Sequence, residues 1–306
     1  MYRLGIDLGG TNIKFVILDD NNNIVLDRMT PTPKNAIAAG KTSEDYRCIE
    51  DAMINSVKEM LAEKNISPAE IKKAGITVPG VTKVPKGPVL LAPNIGWQDH
   101  DPISYLEEKL GMDFVIGNDA DCMALAENAL GTGKNFNSFV MLTLGTGVGG
   151  AIVYDNKIFT GFTNFGGELG HIPLVHGGHP CNCGQNGCFE QYASATALKR
   201  ITFEISGKNM EPIELFKELE RGDKTAEEIV DTYVRYLCEG ITGFINVLRP
   251  DGIILGGGVA NSGAPLFDRV NKLLPTMGYC RDLIPVPPVV PAALGMFSGA
   301  IGATFL

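Results

Sequence analysis

The sequence has no long apolar run, and no targeting signal is visible at its start. A membrane-spanning helix needs about 18 or more consecutive apolar residues, and no stretch of this chain approaches that length. The apolar residues that follow the first methionine, residues 4–8, are too few for the hydrophobic region of a signal peptide. We therefore expect no membrane partner and a cytoplasmic location.

Basic residues are also in short supply. Lys and Arg number 26 against 35 Asp and Glu, which gives a net charge of −9. Proteins that bind nucleic acids or anionic membrane surfaces usually carry a basic patch. The charge balance therefore argues against a nucleic-acid partner.

The sequence also lacks the cysteine pattern of a disulfide framework. Such frameworks are dense and usually contain an even number of cysteines, whereas this chain has seven. Three of them, Cys181, Cys183 and Cys188, are bunched, and the pattern indicates a reducing compartment. The four scattered cysteines are interpreted as small core residues: Cys48, Cys122, Cys238 and Cys280.

The 306 residues, 44% of them hydrophobic, suit two lobes that each bury a core. The opening pattern of strand, glycine turn, strand and polar turn, at residues 4–23, recurs at residues 139–157. Internal duplication is the economical explanation. Further segments are predicted as helices at 46–64, 121–130, 226–248 and 294–305, as strands at 24–26, 73–78, 114–117 and 252–255, and as an extended run at 285–291.

Three glycine turns follow predicted strands, at residues 9–11, 145–150 and 256–258. Backbone N–H groups in such turns can converge on a phosphate, and glycine permits close approach. Lys14 adds a cation, and Asp7 a carboxylate suited to a water-mediated Mg²⁺ contact. Each turn taken alone is also explained as a simple hairpin, and Lys14 as a solvated lysine.

The bunched cysteines form a C-x-C-x₄-C pattern, and His171 precedes the first of them by ten residues. Three cysteines and one histidine make up a closed structural zinc site, without an open position for catalysis. His176 and His179 lie nearer the cysteines, and spacing does not choose among the three histidines. Redox chemistry of the C-x-C pair is the alternative interpretation.

Several carboxylates are candidates for a sugar site. Asn118 and Asp119 follow a short strand and precede a helix, a position where α/β sheets place ligand chemistry and where Asn or Asp also serves as an N-cap. Glu168 and Glu190 bracket the cysteine loop, and a zinc-folded loop would carry both as a rigid unit. Each glutamate taken alone is more typical of a surface position.

Taken together, these residues resemble the ROK family of bacterial sugar kinases and sugar-responsive repressors. The resemblance runs nearly end to end. The matching stretches are residues 6–14 (IDLGGTNIK), 78–80 (VPG), 118–120 (NDA), 144–150 (LGTGVGG), 168–171 (ELGH) and 181–190 (CNCGQNGCFE).

The resemblance implies an α/β, two-lobed actin/hexokinase-like (ribonuclease H-like) ATPase fold with duplicated domains. The expected small lobe comprises residues 1–117 and 295–306, and the large lobe with its zinc loop comprises residues 118–294. Asp119 is implied as the general base, and His171 as the fourth zinc ligand beside Cys181, Cys183 and Cys188. The implied sugar contacts are Gly80, Asn94, Asn118, Asp119, Glu168, His171 and Glu190. The implied ATP and phosphate contacts are Asp7, Gly9, Gly10, Thr11, Asn12, Lys14, Gly145, Thr146, Gly147, Gly256, Gly257, Gly258 and Val259.

The expected reaction is Mg·ATP-dependent phosphorylation of a hexose by a homodimer. Residues 92–97 (APNIGW) look most like those of glucokinases, which favours glucose. Fructose, mannose, allose, N-acetylglucosamine and N-acetylmannosamine are the alternatives, since their kinases share nearly all of these motifs. A sugar-responsive repressor would need a DNA-binding segment ahead of the sugar domain, and we expect none because the first predicted strand starts at residue 4. A filament-forming or chaperone-like ATPase of the same broad fold would not account for the zinc loop and its flanking carboxylates.

Overall fold

A computed structural model describes residues 1–33, 43–279 and 281–306. The strands are β1 Tyr2–Leu8, β2 Asn12–Asp19, β3 Ile24–Pro31, β4 Ile71–Val78, β5 Val81–Thr82, β6 Val89–Ala92, β7 Trp97–His100, β8 Phe114–Asn118, β9 Phe139–Leu144, β10 Val148–Tyr154, β11 Lys157–Ile158, β12 Gly252–Gly256 and β13 Val289–Pro291. The helices are α1 Ser43–Lys64, α2 Ile103–Leu110, α3 Asp119–Leu130, α4 Glu190–Ala193, α5 Ala195–Ser206, α6 Pro212–Glu220, α7 Lys224–Leu248, α8 Ala264–Leu273 and α9 Ser298–Ala303.

The chain divides into two compact units. The first contains residues 1–131, 160–165 and 294–306, and the second contains residues 132–159 and 166–293. The predicted lobes, 1–117 with 295–306 and 118–294, differ from this division mainly at residues 118–131, which contain α3, and at residues 160–165. This helix belongs to the first unit because it packs against α9: a Cβ at Gly302 would lie 1.6 Å from the carbonyl oxygen of Cys122.

The first unit is built on a five-stranded sheet of order β3-β2-β1-β4-β8. β1 pairs antiparallel with β2 and parallel with β4, and β4 pairs parallel with β8. One face of the sheet, including Leu4 and Ile6, buries the apolar stripe of α1. On the other face, Gly5 and Gly75 admit α9, since a Cβ at either residue would lie within 2 Å of an α9 carbonyl oxygen.

The second unit repeats this plan with a sheet of order β11-β10-β9-β12-β13. β9 pairs antiparallel with β10 and parallel with β12, and β12 pairs parallel with β13. The long helix α7 supplies much of its core, including Tyr233, Leu237 and Ile241. The matching strand order confirms the duplication that the repeated sequence pattern predicts.

The local structure departs from the sequence-based expectations at several places. The helices α2, α4, α5, α6 and α8 were not predicted. The extended run predicted at residues 285–291 is a strand only at β13. The predicted terminal helix is shorter, because a 3₁₀ turn at Gly295–Phe297 precedes α9. A small antiparallel sheet of order β5-β6-β7 was not predicted.

The scattered cysteines behave largely as expected. Cys122 and Cys238 are buried, and Cys48 is partly buried. Cys280 lies outside the described residues. Among the helices described, none is both long and apolar enough to cross a bilayer.

Candidate active site and metal centre

Three candidate segments of the first unit lie at one edge of its sheet. β1, β4 and β8 are parallel, with Asp7 opposite Thr77 and Val78 opposite Asn118. Their carboxyl ends therefore bring the glycine turn, Gly80 and Asp119 to the same edge. In open α/β sheets this edge is where ligands bind.

The first glycine turn is supported from one side by Thr32. The Thr32 hydroxyl donates to the carbonyl of Gly9 at 2.6 Å, and the Thr32 N–H donates to the carbonyl of Thr11 at 2.9 Å. The N–H of Gly9 donates across the turn to the carbonyl of Asn12 at 3.0 Å. Thr11 itself remains exposed.

Asp7 and Lys14 face each other across this hairpin. The Lys14 ammonium donates to Oδ2 of Asp7 at 2.9 Å, and Asp7 is only 5% exposed. Burial raises the pKa of the Asp7 carboxyl, although the charge of Lys14 opposes that shift. Lys14 was expected at a phosphate, and sequence reasoning did not anticipate that its ammonium is the counter-ion of Asp7.

The N-cap interpretation of the Asn118–Asp119 pair applies to Asn118, and Asp119 starts the helix. Asn118 is the N-cap of α3, since its side-chain oxygen accepts from the N–H groups of Ala120 at 2.8 Å and Asp121 at 3.3 Å. Asp119 is the first helical residue and accepts from the N–H of Ala120 at 2.9 Å. A carboxylate at this position is stabilised by the helix N-terminus.

Gly80 and Asn94 adjoin these two segments. The side-chain amide of Asn118 donates to the carbonyl of Gly80 at 3.3 Å. Gly80 has a φ of +117°, and a Cβ there would lie 2.2 Å from the carbonyl oxygen of Leu91. Asn94 is exposed, and its carbonyl oxygen would lie 2.9 Å from a Cβ on Gly10. Gly80 and Gly10 are therefore needed where backbone segments approach closely.

The second glycine turn connects β9 and β10 and docks on the start of α5. The N–H of Ala195 donates to the carbonyl of Gly145 at 2.8 Å, and the hydroxyl of Thr196 donates to the carbonyl of Thr146 at 2.7 Å. Within the turn, the N–H of Gly145 donates to the carbonyl of Gly147 at 3.0 Å. These bonds hold the turn's carbonyls and leave the side chain of Thr146 exposed.

The third glycine turn lies directly beside the second. Gly257 has a φ of +87°, and a Cβ there would lie 2.7 Å from the backbone of Leu144. The N–H of buried Val259 donates to the carbonyl of Leu144 at 3.1 Å. Gly258 is exposed, with open space where a Cβ would stand. The two turns therefore form one backbone-lined surface in the second unit.

The side chains of His171, Cys181, Cys183 and Cys188 converge, with one ligand atom of each within 4.8 Å of all the others. Cys183 Sγ lies 3.5 Å from Cys188 Sγ, and Cys181 Sγ lies 3.6 Å from His171 Nδ1. A tetrahedral zinc site with Zn–S of about 2.3 Å places its sulfurs roughly 3.8 Å apart. Both the donor set and its spacing fit zinc.

Local contacts fold the cysteine loop around this cluster. The N–H of Cys181 donates to the carbonyl of Gln185 at 2.8 Å. Burial raises the pKa of the Cys188 thiol to about 12, while a hydrogen bond from the Gln185 backbone lowers the pKa of Cys183. A bound cation would favour the thiolate form of all three cysteines. His179 is not part of the cluster, and its ring lies 5.5 Å from that of Tyr192, tilted by 50°.

The two candidate glutamates flank this centre. Glu168 is exposed and immediately precedes the 3₁₀ turn Leu169–His171. Gly170 packs that turn onto β10, since a Cβ there would lie 2.1 Å from the carbonyl oxygen of Val148. Glu190 begins α4, and its Oε2 accepts from the N–H of Val148 at 2.9 Å.

Comparison with known sequences agrees with the motifs. The family model described as ROK family matches residues 3–306. A glucokinase of Halalkalibacterium halodurans is 33% identical over 89% of this chain and 84% of its own length. An N-acetyl-D-glucosamine kinase of Aliivibrio salmonicida is 30% identical over 99% of this chain and 98% of its own length. A xylose repressor of Bacillus spizizenii is 27% identical over 98% of this chain and 75% of its own length.

Solved structures agree with the fold. A ROK hexokinase from Thermus thermophilus superposes with a TM-score of 0.84 at 31% identity, covering 99% of this chain and 97% of that one. A ROK family glucokinase from Streptomyces griseus, in complex with glucose and AMPPNP, superposes with a TM-score of 0.80 at 26% identity, covering 100% of this chain and 98% of that one. The predicted two-lobed α/β kinase fold is therefore confirmed.

Proposed function

The chain belongs to the ROK family, and from that premise we propose that it is an ATP-dependent kinase that phosphorylates a hexose, with glucose preferred. The observation that carries this proposal is the shared sheet edge of the first unit. There a glycine turn suited to phosphate and the carboxylate of Asp119 follow parallel strands of a single sheet.

Asp119 is proposed as the general base. Its carboxylate accepts the proton of the hexose hydroxyl, O6 in glucose, as that oxygen attacks the γ-phosphorus of ATP and the bond to the β-phosphate oxygen breaks. ADP leaves with the electron pair of the broken bond. Because Asn118 fills the N-cap of α3, the Asp119 carboxylate is not needed to cap the helix.

The glycine turns of each unit are proposed as phosphate contacts. Their N–H groups and the hydroxyls of Thr11 and Thr146 donate to phosphate oxygens. Asp7 is the carboxylate proposed to hold the hydrated Mg²⁺, with Lys14 as its neighbouring cation. The full proposed set is Asp7, Gly9, Gly10, Thr11, Asn12, Lys14, Gly145, Thr146, Gly147, Gly256, Gly257, Gly258 and Val259.

Zinc is proposed as a structural ion held by His171, Cys181, Cys183 and Cys188. When bound it supplies four strong bonds to a loop that has little apolar content of its own. His171 faces the cysteines through Nδ1, so Nε2 can hydrogen-bond a sugar hydroxyl. The zinc loop therefore organises sugar contacts in the second unit, where Glu168, His171 and Glu190 are assigned.

The preference for glucose rests on the glucokinases among the similar proteins and on the run of residues 92–97. Gly80, Asn94, Asn118 and Asp119 are the sugar contacts assigned to the first unit. N-acetylglucosamine is the main competing substrate, because a kinase for that sugar is 30% identical to this chain. A cytoplasmic homodimer is the proposed setting.

Substitution of Asp119 tests the mechanism. Asp119→Asn keeps the shape of the side chain but removes its basicity, so kcat with glucose should fall about 10²–10⁴-fold. Asp121→Asn is the matched control, since it removes another carboxylate from the first turn of the same helix. A kcat for Asp119→Asn close to that of the Asp121 variant would refute the assignment.

A sugar-responsive regulator is the second candidate, because a xylose repressor matches 98% of this chain. The two candidates differ in chemistry. A kinase releases ADP only when a hexose is present, whereas a regulator binds sugar without consuming ATP. Measuring ADP release with and without glucose separates them.

A further inference from the structure

Glu190 contacts the second glycine turn directly. Its Oε2 accepts from the N–H of Val148, the residue that ends the turn, at 2.9 Å. Gly147 makes this contact possible, because a Cβ there would lie 2.2 Å from the same oxygen. A hydrogen bond between a backbone N–H and a carboxylate is about twice as strong as one between neutral groups.

The other hydrogen bonds that hold this turn engage its carbonyl groups. Ala195 and Thr196 donate to the carbonyls of Gly145 and Thr146, and Gly145 donates to the carbonyl of Gly147. Glu190 supplies a side-chain acceptor, for the N–H of Val148. It therefore determines the direction of an N–H at the end that leads into β10.

The position of Glu190 is set by the cysteine loop. Cys188 is two residues earlier, and Phe189 between them is fully buried against α7, with its ring 5.9 Å from that of Phe244. Glu190 Oε1 also lies 3.8 Å from Cys181 Sγ. One carboxylate thus touches the metal cluster with one oxygen and the glycine turn with the other.

We propose that Glu190 is a positioning residue for the glycine turn at residues 145–147, through which the cysteine cluster sets the geometry of a phosphate-binding surface. This deepens the proposed function and rests on it for the identity of the ligand. The consequence goes beyond sugar binding: a change at Glu190 or loss of the cluster weakens nucleotide binding even when no sugar is present.

The test compares Glu190→Ala, Glu190→Gln and Glu168→Ala. The glutamine keeps an oxygen that can accept from Val148, whereas alanine removes the acceptor. Glu168→Ala is the matched control, because Glu168 is the other glutamate assigned to the sugar and its side chain is exposed. Zinc content and melting temperature establish that each variant is folded and loaded.

The first readout is the Kd of a non-hydrolysable ATP analogue with Mg²⁺, measured by calorimetry without sugar. Glu190→Ala should raise this Kd about tenfold, the usual effect of losing one charge-assisted hydrogen bond. Glu168→Ala should leave it nearly unchanged, and Glu190→Gln, which keeps a neutral acceptor for the Val148 N–H, should raise it by less than Glu190→Ala does. An unchanged Kd in Glu190→Ala, or an equal rise in Glu168→Ala, would overturn the proposal.

The second readout, hydrogen exchange of the Val148 amide, needs no ligand. Exchange should accelerate in Glu190→Ala and stay protected in Glu190→Gln. If the unaltered chain does not bind the analogue, the proposed function fails, while faster exchange in Glu190→Ala still supports the contact. If exchange is the same in all variants, the positioning role is wrong whether or not the chain is a kinase.

Discussion

Two glycines of α7 provide a matched test of how the cysteine loop is anchored. At Gly240 an added Cβ would lie 2.3 to 2.7 Å from three atoms of the Phe189 ring, whereas at Gly243 it would meet nothing within 4 Å. Phe189 is fully buried and joins Cys188 to Glu190. The absence of a side chain at Gly240 is therefore what lets the loop seat on the helix.

The expected free energies follow from these contacts. Gly→Ala inside a helix stabilises by about 0.5–1 kcal/mol at either position, because alanine has less backbone entropy to lose. At Gly240 the buried ring must also shift, and such overpacking typically costs about 1–3 kcal/mol. The helix gain cancels between the two variants, so Gly240→Ala should be less stable than Gly243→Ala by about 1–3 kcal/mol.

Urea unfolding of both variants, followed by circular dichroism, measures this difference. Gly243→Ala should unfold at a higher urea concentration than the unaltered chain, and Gly240→Ala at a lower concentration than Gly243→Ala. Equal midpoints for the two variants would refute the reasoning, because they would show that Phe189 does not occupy the space at Gly240.

Three further predictions concern charge and metal. Burial raises the pKa of the Asp7 carboxyl above its ordinary 3.8, so ionisation of Asp7 destabilises the fold as the pH rises above that value. Asp7→Asn should therefore raise the melting temperature at pH 7, and the increase should shrink toward pH 3. An unchanged or lower melting temperature at pH 7 would contradict this. His100 Nε2 lies 3.0 Å from Oε1 of fully buried Glu50, whose Oε2 also pairs with Arg47 at 3.3 Å. His100→Ala leaves the first of these oxygens without its partner and should cost about 1–3 kcal/mol in urea unfolding, against about 0.5 kcal/mol or less for Lys109→Ala at the exposed pair with Glu108. Cys183→Ser should lower zinc content, measured by plasma mass spectrometry, together with melting temperature and sugar affinity; full activity in protein free of zinc would exclude the structural role.

Much of the fold could be predicted because its signals are local. The strands on either side of each glycine turn are short apolar runs, and α1 and α7 show helical periodicity over many turns. The sheet of β5, β6 and β7 was missed because its strands are two to four residues long, too short for periodicity to register. The placement of α3 was missed because it depends on packing against α9, from the far end of the chain.

Some features of the candidate site could likewise be predicted from the sequence, and others could not. Motifs identified the glycine turns, Asp119 and the cysteine cluster, because each lies within a short stretch. The ion pair of Asp7 with Lys14 follows from strand register, which places the two residues directly opposite each other, and that register could have been inferred from the hairpin. The contact of Glu190 with Val148 joins residues 42 apart and has no signal in the sequence.

The measurement that bears most directly on the central claim is a panel of hexoses and N-acetylhexosamines assayed with Mg·ATP for kcat/KM, with the sugar phosphate identified by mass spectrometry. The account predicts ADP release that depends strictly on the added sugar, a hexose 6-phosphate as product, and the highest kcat/KM for glucose. A higher kcat/KM for N-acetylglucosamine would revise the substrate alone. Sugar binding without any phosphorylated product across the panel would contradict the account.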